Sequence, residues 1–302
     1  MININFLQYF SLLRFKVLNK LIDKENYTLI LDMEDSAQNL FSDKKTIELK
    51  KRCREGIHYL SENKIKLDNC FLRINSIKSS FFQEDIKTII KAKKKNFKVK
   101  GIFLPKTENF KDIKFVYEKL GIKIIPIIET VKGYKNLESI LRLDRKNLIY
   151  GVHYGHFDYC LDKKIWPLPE PYHQEYWDIV NSIINLCNLY KKKFIQSPYP
   201  LINNHKIFWS MIKLLKNSLK QDGYATLVNI NKFFYEQPNK IVNLKLKAIS
   251  KNRNYMYSFA KKIEKEYDEN LQQNKSFSLT KKRFIAPHQY LMAKDFIGNY
   301  EK

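Results

Sequence analysis

Short apolar runs alternate with longer amphipathic stretches along the first 230 residues of the chain. Runs rich in β-branched and aromatic residues predict buried strands, and they span 5–12, 27–33, 69–75, 99–106, 123–130, 147–155, 192–199 and 224–230. The stretches between them place apolar residues near helical spacing, as at Ile47, Leu49, Cys53, Ile57 and Leu60. This alternation predicts an α/β protein with a parallel sheet.

The number of predicted strands favours a closed barrel. Eight strand–helix repeats are the count of a (β/α)8 TIM barrel, which we assign to residues 1–235. An open doubly wound sheet is the alternative, but it would usually carry a glycine-rich phosphate turn after an early strand, and the sequence has none. Residues 236–302 predict a helical C-terminal extension, a lid or an oligomer contact, with a helix over 239–269 and an amphipathic segment over 287–300.

Composition narrows the class of protein. The chain has 302 residues, of which 44% are hydrophobic, enough for one large domain or two smaller ones. It has no run of eighteen or more apolar residues, so no transmembrane helix is expected, and its N-terminus lacks the features of a signal peptide. The four cysteines are scattered without metal-like spacing, which fits a reducing, cytoplasmic compartment.

The chain is strongly basic, with 55 Lys and Arg against 31 Asp and Glu and a net charge of +24. The lysines occur in short runs that acidic or apolar stretches separate, and no zinc finger, helix-turn-helix signature or glycine-rich basic tail accompanies them. We therefore expect no nucleic-acid partner. A positive field that attracts a small anionic substrate explains the charge better.

Ionisable residues stand at the ends of five consecutive predicted strands. They are Asp32, Glu34 and Asp35 after the second strand, Arg73, Lys106 and Glu129 after the next three, and Asp158 in the loop after the sixth. The carboxyl ends of TIM-barrel strands form the rim that carries the active site. Each residue has an alternative role as a helix N-cap or surface group, and this alternative is strongest for Asp35, because a helix begins shortly after it.

These residue types together indicate metal-assisted chemistry. Glu129 and Asp158 could supply oxygen ligands to Mg²⁺ or Mn²⁺, since such ions take few protein carboxylates and keep positions open for substrate. Arg73 could hold a substrate carboxylate with its planar fork, while Glu34 and Asp35 could order water around the metal. A metal and an arginine beside a keto-acid stabilise the enolate that forms when a carbon–carbon bond breaks.

Six segments in chain order resemble the citrate lyase β-subunit and malyl-CoA lyase family of the HpcH/HpaI aldolase superfamily. They are LDMED (31–35), RIN (73–75), GIFLPKTE (101–108), IPIIETVKG (125–133), YGVHYGHFD (150–158) and RFIAPHQYLMA (283–293). The resemblance implies a TIM barrel, Mg²⁺-dependent lyase or aldol chemistry, and homo-oligomers, often trimers or hexamers. The family's metal-binding Glu and Asp fall on Glu129 and Asp158, and its substrate-binding Arg falls on Arg73.

The chain departs from the family pattern at three places. The family's N-terminal phosphate- or CoA-binding segment is not legible in residues 5–15, and Asn231 and Lys232 stand where His and Pro are expected. Ala286 replaces an Asp that serves as a lid acid/base in malyl-CoA lyases. All three touch the thioester end of the reaction, so we expect a diverged member that acts on a free acid.

The sequence thus supports a cytoplasmic carbon–carbon lyase or aldolase for a small keto- or hydroxy-acid. Arg73, Lys106, Glu34 and Asp35 are the expected catalytic residues. Substrate contacts are expected from Arg73, Asp32 and His156. For His153 and His156 a structural role is an equal alternative. The rival hypothesis is a barrel that binds metal but has lost the reaction and acts as an assembly partner, which gains if Lys106 and both histidines point away from the metal.

Overall fold

The eight apolar runs form a closed barrel of parallel strands. The computed structural model describes residues 2–22, 27–39, 42–227, 237–239, 241–271, 277–281 and 283–301. Within these ranges each barrel strand pairs with its neighbour in sequence and β1 pairs with β8, which confirms the (β/α)8 TIM barrel. The strands are β1 Ile4–Ser11, β2 Thr28–Asp32, β3 Phe71–Arg73, β4 Gly101–Leu104, β5 Ile124–Ile128, β6 Gly151–Tyr154, β7 Lys193–Tyr199 and β8 Gly223–Leu227.

Helices follow the strands and surround the barrel. Several begin at polar caps; the side chain of Thr130, two residues after β5, accepts the Gly133 N–H at the start of α5. The helices of the described residues are α1 Asn19–Ile22, α2 Asp43–Glu62, α3 Phe82–Lys93, α4 Phe110–Leu120, α5 Val131–Leu143, α6 His156–Asp162, α7 Gln174–Leu189, α8 His205–Ser218, α9 Arg253–Glu269 and α10 Pro287–Tyr300. Leu12–Val17 and Asp35–Ala37 are 3₁₀ helices, and Ser278–Leu279 (β9) pairs with Phe284–Ile285 (β10).

The core has two shells, because side chains of a strand alternate between its faces. Residues such as Ile30, Phe71 and Ile127 fill the inside of the barrel, whereas their neighbours in sequence pack outward against the helices. Strands β2 to β6 and β8 are therefore buried on both faces apart from Thr28, as is usual for parallel sheets. The same alternation directs the last residues of β2 and β3 inward, toward the mouth of the barrel.

The C-terminal extension is helical, as predicted, but its first helix is shorter. The prediction of a helix over 239–269 is wrong at its beginning, since residues 241–252 are irregular and α9 starts at Arg253, where the Asn252 side chain accepts the Tyr255 N–H. Apolar and polar residues alternate over 242–248, and this period of two gives a helix no continuous apolar stripe to bury. On α2 the predicted apolar face is confirmed at Cys53, Ile57 and Leu60, which are buried, but not at Ile47, which is 57% exposed.

The extension packs on the barrel near its mouth. Helices α9 and α10 share a small apolar core, and α10 also contacts α6. The Phe284 N–H donates to the Pro200 carbonyl after β7 at 2.9 Å. The predicted boundary between residues 235 and 236, and the positions Asn231 and Lys232, lie outside the described residues. None of the described helices is both long enough and apolar enough to cross a bilayer.

Candidate active site

A buried arginine–aspartate pair forms the centre of the site. Asp32 and Arg73 end the adjacent strands β2 and β3 and are register partners. The Nε and Nη2 groups of Arg73 donate to the two carboxylate oxygens of Asp32 at 2.6 and 2.7 Å. Both residues are buried, and the guanidinium lies over the ring of Tyr9 at 4.5 Å. This two-point contact fixes the guanidinium and leaves its Nη1 edge for other partners.

Two further carboxylates share that edge. The Nη1 of Arg73 lies 2.9 Å from Asp35 and 3.1 Å from Glu34. Burial raises the pKa of Glu34 to about 8, and the neighbouring charge of Asp35 adds to this rise. Burial acts on Asp35 in the same direction, but the positive charges of Arg73, His288, Lys106 and Lys50 together outweigh it and lower the pKa of Asp35 to about 2. At neutral pH the pair therefore holds one charged and one protonated carboxyl group.

A second cluster of carboxylates, Glu129 and Asp158, lies across the mouth. Glu129 follows β5, is buried, and accepts the backbone N–H of Lys106 at 2.8 Å. The Lys106 ammonium lies 3.5 Å from the Asp158 carboxylate in the first turn of α6. Burial raises the pKa of Glu129 well above its usual value, and the negative charges of Asp158 and Glu34 add to the rise. A glycine is needed at Gly155, because a Cβ there would lie 2.5 Å from Glu129.

Carboxyl groups outnumber permanent cations at the mouth. Two permanent cations, Arg73 and Lys106, face five carboxyl groups, which are Asp32, Glu34, Asp35, Glu129 and Asp158. A divalent cation fits this donor set, because its charge would offset both the burial and the neighbouring negative charges that raise the pKa of Glu129. Among the described residues no three His, Cys, Asp or Glu side chains converge on one ion position, so an ion held by Glu129 and Asp158 would complete its shell with water or substrate.

One residue of the mouth, His288, was not predicted from the sequence. Its Nε2 lies 3.3 Å from the Asp158 carboxylate, because α10 packs on α6. Burial would lower the pKa of His288, but Asp158 outweighs it and the pKa is raised. The family pattern draws attention to Ala286, which is the N-cap of α10. A histidine two residues later in the same motif was the available signal.

The structure does not bring His156 into this group. Its Nε2–H donates to the Pro169 carbonyl at 2.7 Å and its Nδ1 accepts from the Tyr154 hydroxyl at 2.9 Å. Neither ring nitrogen is left for the substrate contact that the sequence suggested. His153 lies inside the barrel, where Nδ1–H donates to the Ile195 carbonyl and Nε2 accepts from Tyr9 at 3.3 Å. Burial lowers the pKa of His156 to about 4, so it stays neutral.

Comparisons with known proteins agree with the barrel fold. The family model described as HpcH/HpaI aldolase/citrate lyase matches residues 9–211. No curated protein sequence matches the chain. Similar solved structures include RipC from Yersinia pestis, at TM-score 0.55 and 17% identity over 78% of this chain and 96% of that one. Protein CitE from Mycobacterium tuberculosis with magnesium and pyruvate has TM-score 0.59 and 14% identity over 80% and 93%. The same protein with magnesium, acetoacetate and coenzyme A has 0.57 and 11% over 98% of both. At these identities the structures share the fold.

Proposed function

Because the chain belongs to the HpcH/HpaI aldolase/citrate lyase family, we propose that it is a Mg²⁺-dependent carbon–carbon lyase or aldolase for a small keto- or hydroxy-acid. The observation that carries the proposal is the excess of carboxyl groups over permanent cations at the mouth, beside a fixed arginine. Such a site suits a divalent cation and an anionic substrate together.

Glu129 and Asp158 would hold the metal in this proposal. A bound magnesium ion supplies Lewis acidity that stabilises the negative charge of an enolate. The Lys106 ammonium lies beside Asp158 and carries a second positive charge close to that position. Burial would lower the pKa of Lys106, but Asp158 and its acidic neighbours outweigh this and raise it, so the ammonium stays charged.

Arg73 would receive the substrate carboxylate on its Nη1 edge. Asp32 occupies the Nε and Nη2 groups, so its role is to orient the guanidinium. Asp35 is the most exposed partner of the Nη1 edge, with 41% of its side chain accessible. A substrate carboxylate can therefore displace Asp35 without unfolding the site, whereas displacement of Asp32 would break two short bonds.

A free acid fits the chain better than a CoA thioester. Ala286 cannot transfer a proton, although thioester activation needs a positioned acid/base. CitE from Mycobacterium tuberculosis has been crystallised with magnesium and pyruvate and also with coenzyme A, so both chemistries belong in the test. A homo-oligomer of three or six copies and a cytoplasmic location remain predictions from the resemblance and the composition.

A metal-binding barrel without the reaction, acting as a binding or assembly partner, is the second candidate. Its support is that Arg73 already has three carboxylate partners within the chain. The first candidate has the stronger support, because Lys106 points at Asp158 and not away from it.

A coupled assay decides between the two candidates. Release of pyruvate or oxaloacetate is measured with Mg²⁺ across a panel of free keto-acid aldols, beside malyl-CoA and citramalyl-CoA. Turnover of a free acid supports the lyase. Turnover of only the CoA esters would overturn the expectation of free-acid chemistry, and silence on all substrates with Mg²⁺ still bound would favour the assembly partner.

A further inference from the structure

A buried lysine behind the mouth uses its full donor capacity. Lys50 on α2 is 3% exposed. Its ammonium donates to the carbonyls of Met33 and Glu34 at 2.9 and 2.7 Å and to the Asn75 side-chain oxygen at 2.6 Å. A lysine ammonium has three hydrogens, so each hydrogen has one acceptor here.

The three acceptors belong to the two loops that carry the arginine cluster. Met33 and Glu34 form the turn after β2, and Asn75 follows Arg73 at the end of β3. One ammonium therefore ties the segment that holds Glu34 to the segment that holds Arg73. Because these acceptors use all three ammonium hydrogens, Lys50 acts on the guanidinium through the loops that it joins.

A second layer fixes the orientation of Asn75. Its N–H and its side-chain amide donate to one oxygen of Asp85 on α3, at 3.0 and 2.6 Å. The other Asp85 oxygen accepts from Arg54 Nε on α2 at 2.9 Å. The amide oxygen of Asn75 must then face Lys50. The chain Arg54–Asp85–Asn75–Lys50 thus connects α2 and α3 to the rim.

We propose that Lys50 is a positioning residue, which keeps Glu34 and Arg73 at the spacing that an anionic substrate requires. The inference rests on the proposed function only in assigning the substrate carboxylate to Arg73. Loss of the ammonium leaves the Asn75 side-chain oxygen without its donor and takes one of two donors from each of the Met33 and Glu34 carbonyls, so the two loops can relax apart. The displacement of Arg73 would weaken substrate binding. Glu129 and Asp158 follow other strands and would keep their positions.

A second buried lysine provides a matched control. Lys192 donates to Asp144 at 2.6 Å, to the Asn147 side chain at 2.9 Å and to the Ile149 carbonyl at 3.4 Å. It precedes β7, at the opposite end of the barrel from the mouth. Its replacement should loosen the fold to a similar degree without touching the rim.

The test compares Lys50→Met with Lys192→Met in the full chain. The first readout is the solvent exchange of the Arg73 Nε–H in ¹⁵N NMR, assigned with Arg73→Lys; it needs no substrate. We expect Lys50→Met to speed this exchange about tenfold and Lys192→Met to leave it unchanged. The second readout is calorimetry with Mg²⁺ and then pyruvate as probes. Lys50→Met should weaken pyruvate binding about tenfold and leave Mg²⁺ affinity within about twofold.

Asn75→Ala removes the same link and carries the test if Lys50→Met does not fold. Unchanged Arg73 exchange in Lys50→Met or Asn75→Ala, or equal acceleration in Lys192→Met, would overturn the positioning role. If the exchange difference is found but the wild type binds no pyruvate, the assignment of the substrate carboxylate to Arg73 fails and the positioning of Arg73 by Lys50 stands.

Discussion

The two ends of the barrel bury charge in different ways. At the bottom, the Asp144 carboxylate meets one cation, Lys192 at 2.6 Å, and two backbone N–H groups, of Leu148 at 2.7 Å and Ile149 at 3.1 Å. That group balances one positive against one negative charge and satisfies its acceptors. At the mouth, five carboxyl groups face two permanent cations. The paired charges at the bottom stabilise the fold, whereas the surplus of carboxyl groups at the mouth is suited to binding an added cation.

The sharpest way to break this comparison is to remove a proposed metal ligand. Glu129→Gln should abolish the heat of Mg²⁺ binding in calorimetry, because a neutral amide cannot replace the carboxylate charge. Glu108→Gln is the matched control, since Glu108 lies in the loop after β4 at the same rim but forms ion pairs with Lys78 and Lys132. Unchanged Mg²⁺ affinity in Glu129→Gln would remove the metal site from the proposal.

The bottom of the barrel should respond in stability instead. Lys192→Met leaves the buried Asp144 carboxylate without its cation, so we expect a loss of about 3–5 kcal/mol in the free energy of unfolding. Chemical denaturation measures this loss, and Mg²⁺ affinity of the folded variant should stay within about twofold. A loss of metal binding in this variant would show that the two ends are coupled.

Exchange of arginine and lysine should affect the two ends differently. Arg73→Lys replaces a fork that contacts Asp32 at two points with a single ammonium, so we expect about a 100-fold loss of kcat/KM. Lys192→Arg should lower stability and leave kcat/KM within about threefold. If Arg73→Lys keeps full activity on the preferred substrate, the substrate carboxylate binds elsewhere.

The pH dependence of the free energy of unfolding tests the raised pKa of Glu34, one of the surplus carboxyl groups. The pKa of Glu34 is raised from 4.5 to about 8, so between these values the folded protein holds a proton that the unfolded chain has lost. The stability that this proton contributes is present in full below pH 4.5 and is lost as pH rises through 8. Glu34→Gln stays neutral, so it should match the wild type at pH 4 and exceed it by up to about 5 kcal/mol at pH 9 without Mg²⁺, the free-energy equivalent of the rise from 4.5 to 8. Equal stability at both pH values would contradict the raised pKa.

The smallest effect is expected at the contact between the extension and the mouth. His288 lies 3.3 Å from an Asp158 oxygen that a metal would also use. His288→Ala should therefore tighten Mg²⁺ binding about threefold, since the contact is partly exposed and of modest strength. His58→Ala, on α2 away from the mouth, is the control for a general effect of losing a histidine. Weaker Mg²⁺ binding in His288→Ala would make His288 a supporting group and not a competitor.

The sequence by itself determined the barrel and the composition of its rim. Alternating strand and helix patterns specify the parallel sheet, and the carboxyl ends of parallel strands must meet at one edge. Asp32, Arg73 and Glu129 could therefore be assigned to one rim from the sequence alone, because each stands directly at or after the end of a buried run. The side-chain period of two within β2 and β3 also fixes which way Asp32 and Arg73 point.

Only the tertiary structure decided which side chains from elsewhere reach that rim. Nothing in the sequence distinguishes Lys50 from the other lysines of α2. Packing of α2 on the loops after β2 and β3 buries it against Glu34 and Asn75. His288 reaches Asp158 from the far end of the chain, and His156 turns away from the mouth, although both lie in motifs that the sequence displays. A local pattern encodes burial and periodicity, whereas these contacts depend on how separate elements dock, which the pattern of one segment does not contain.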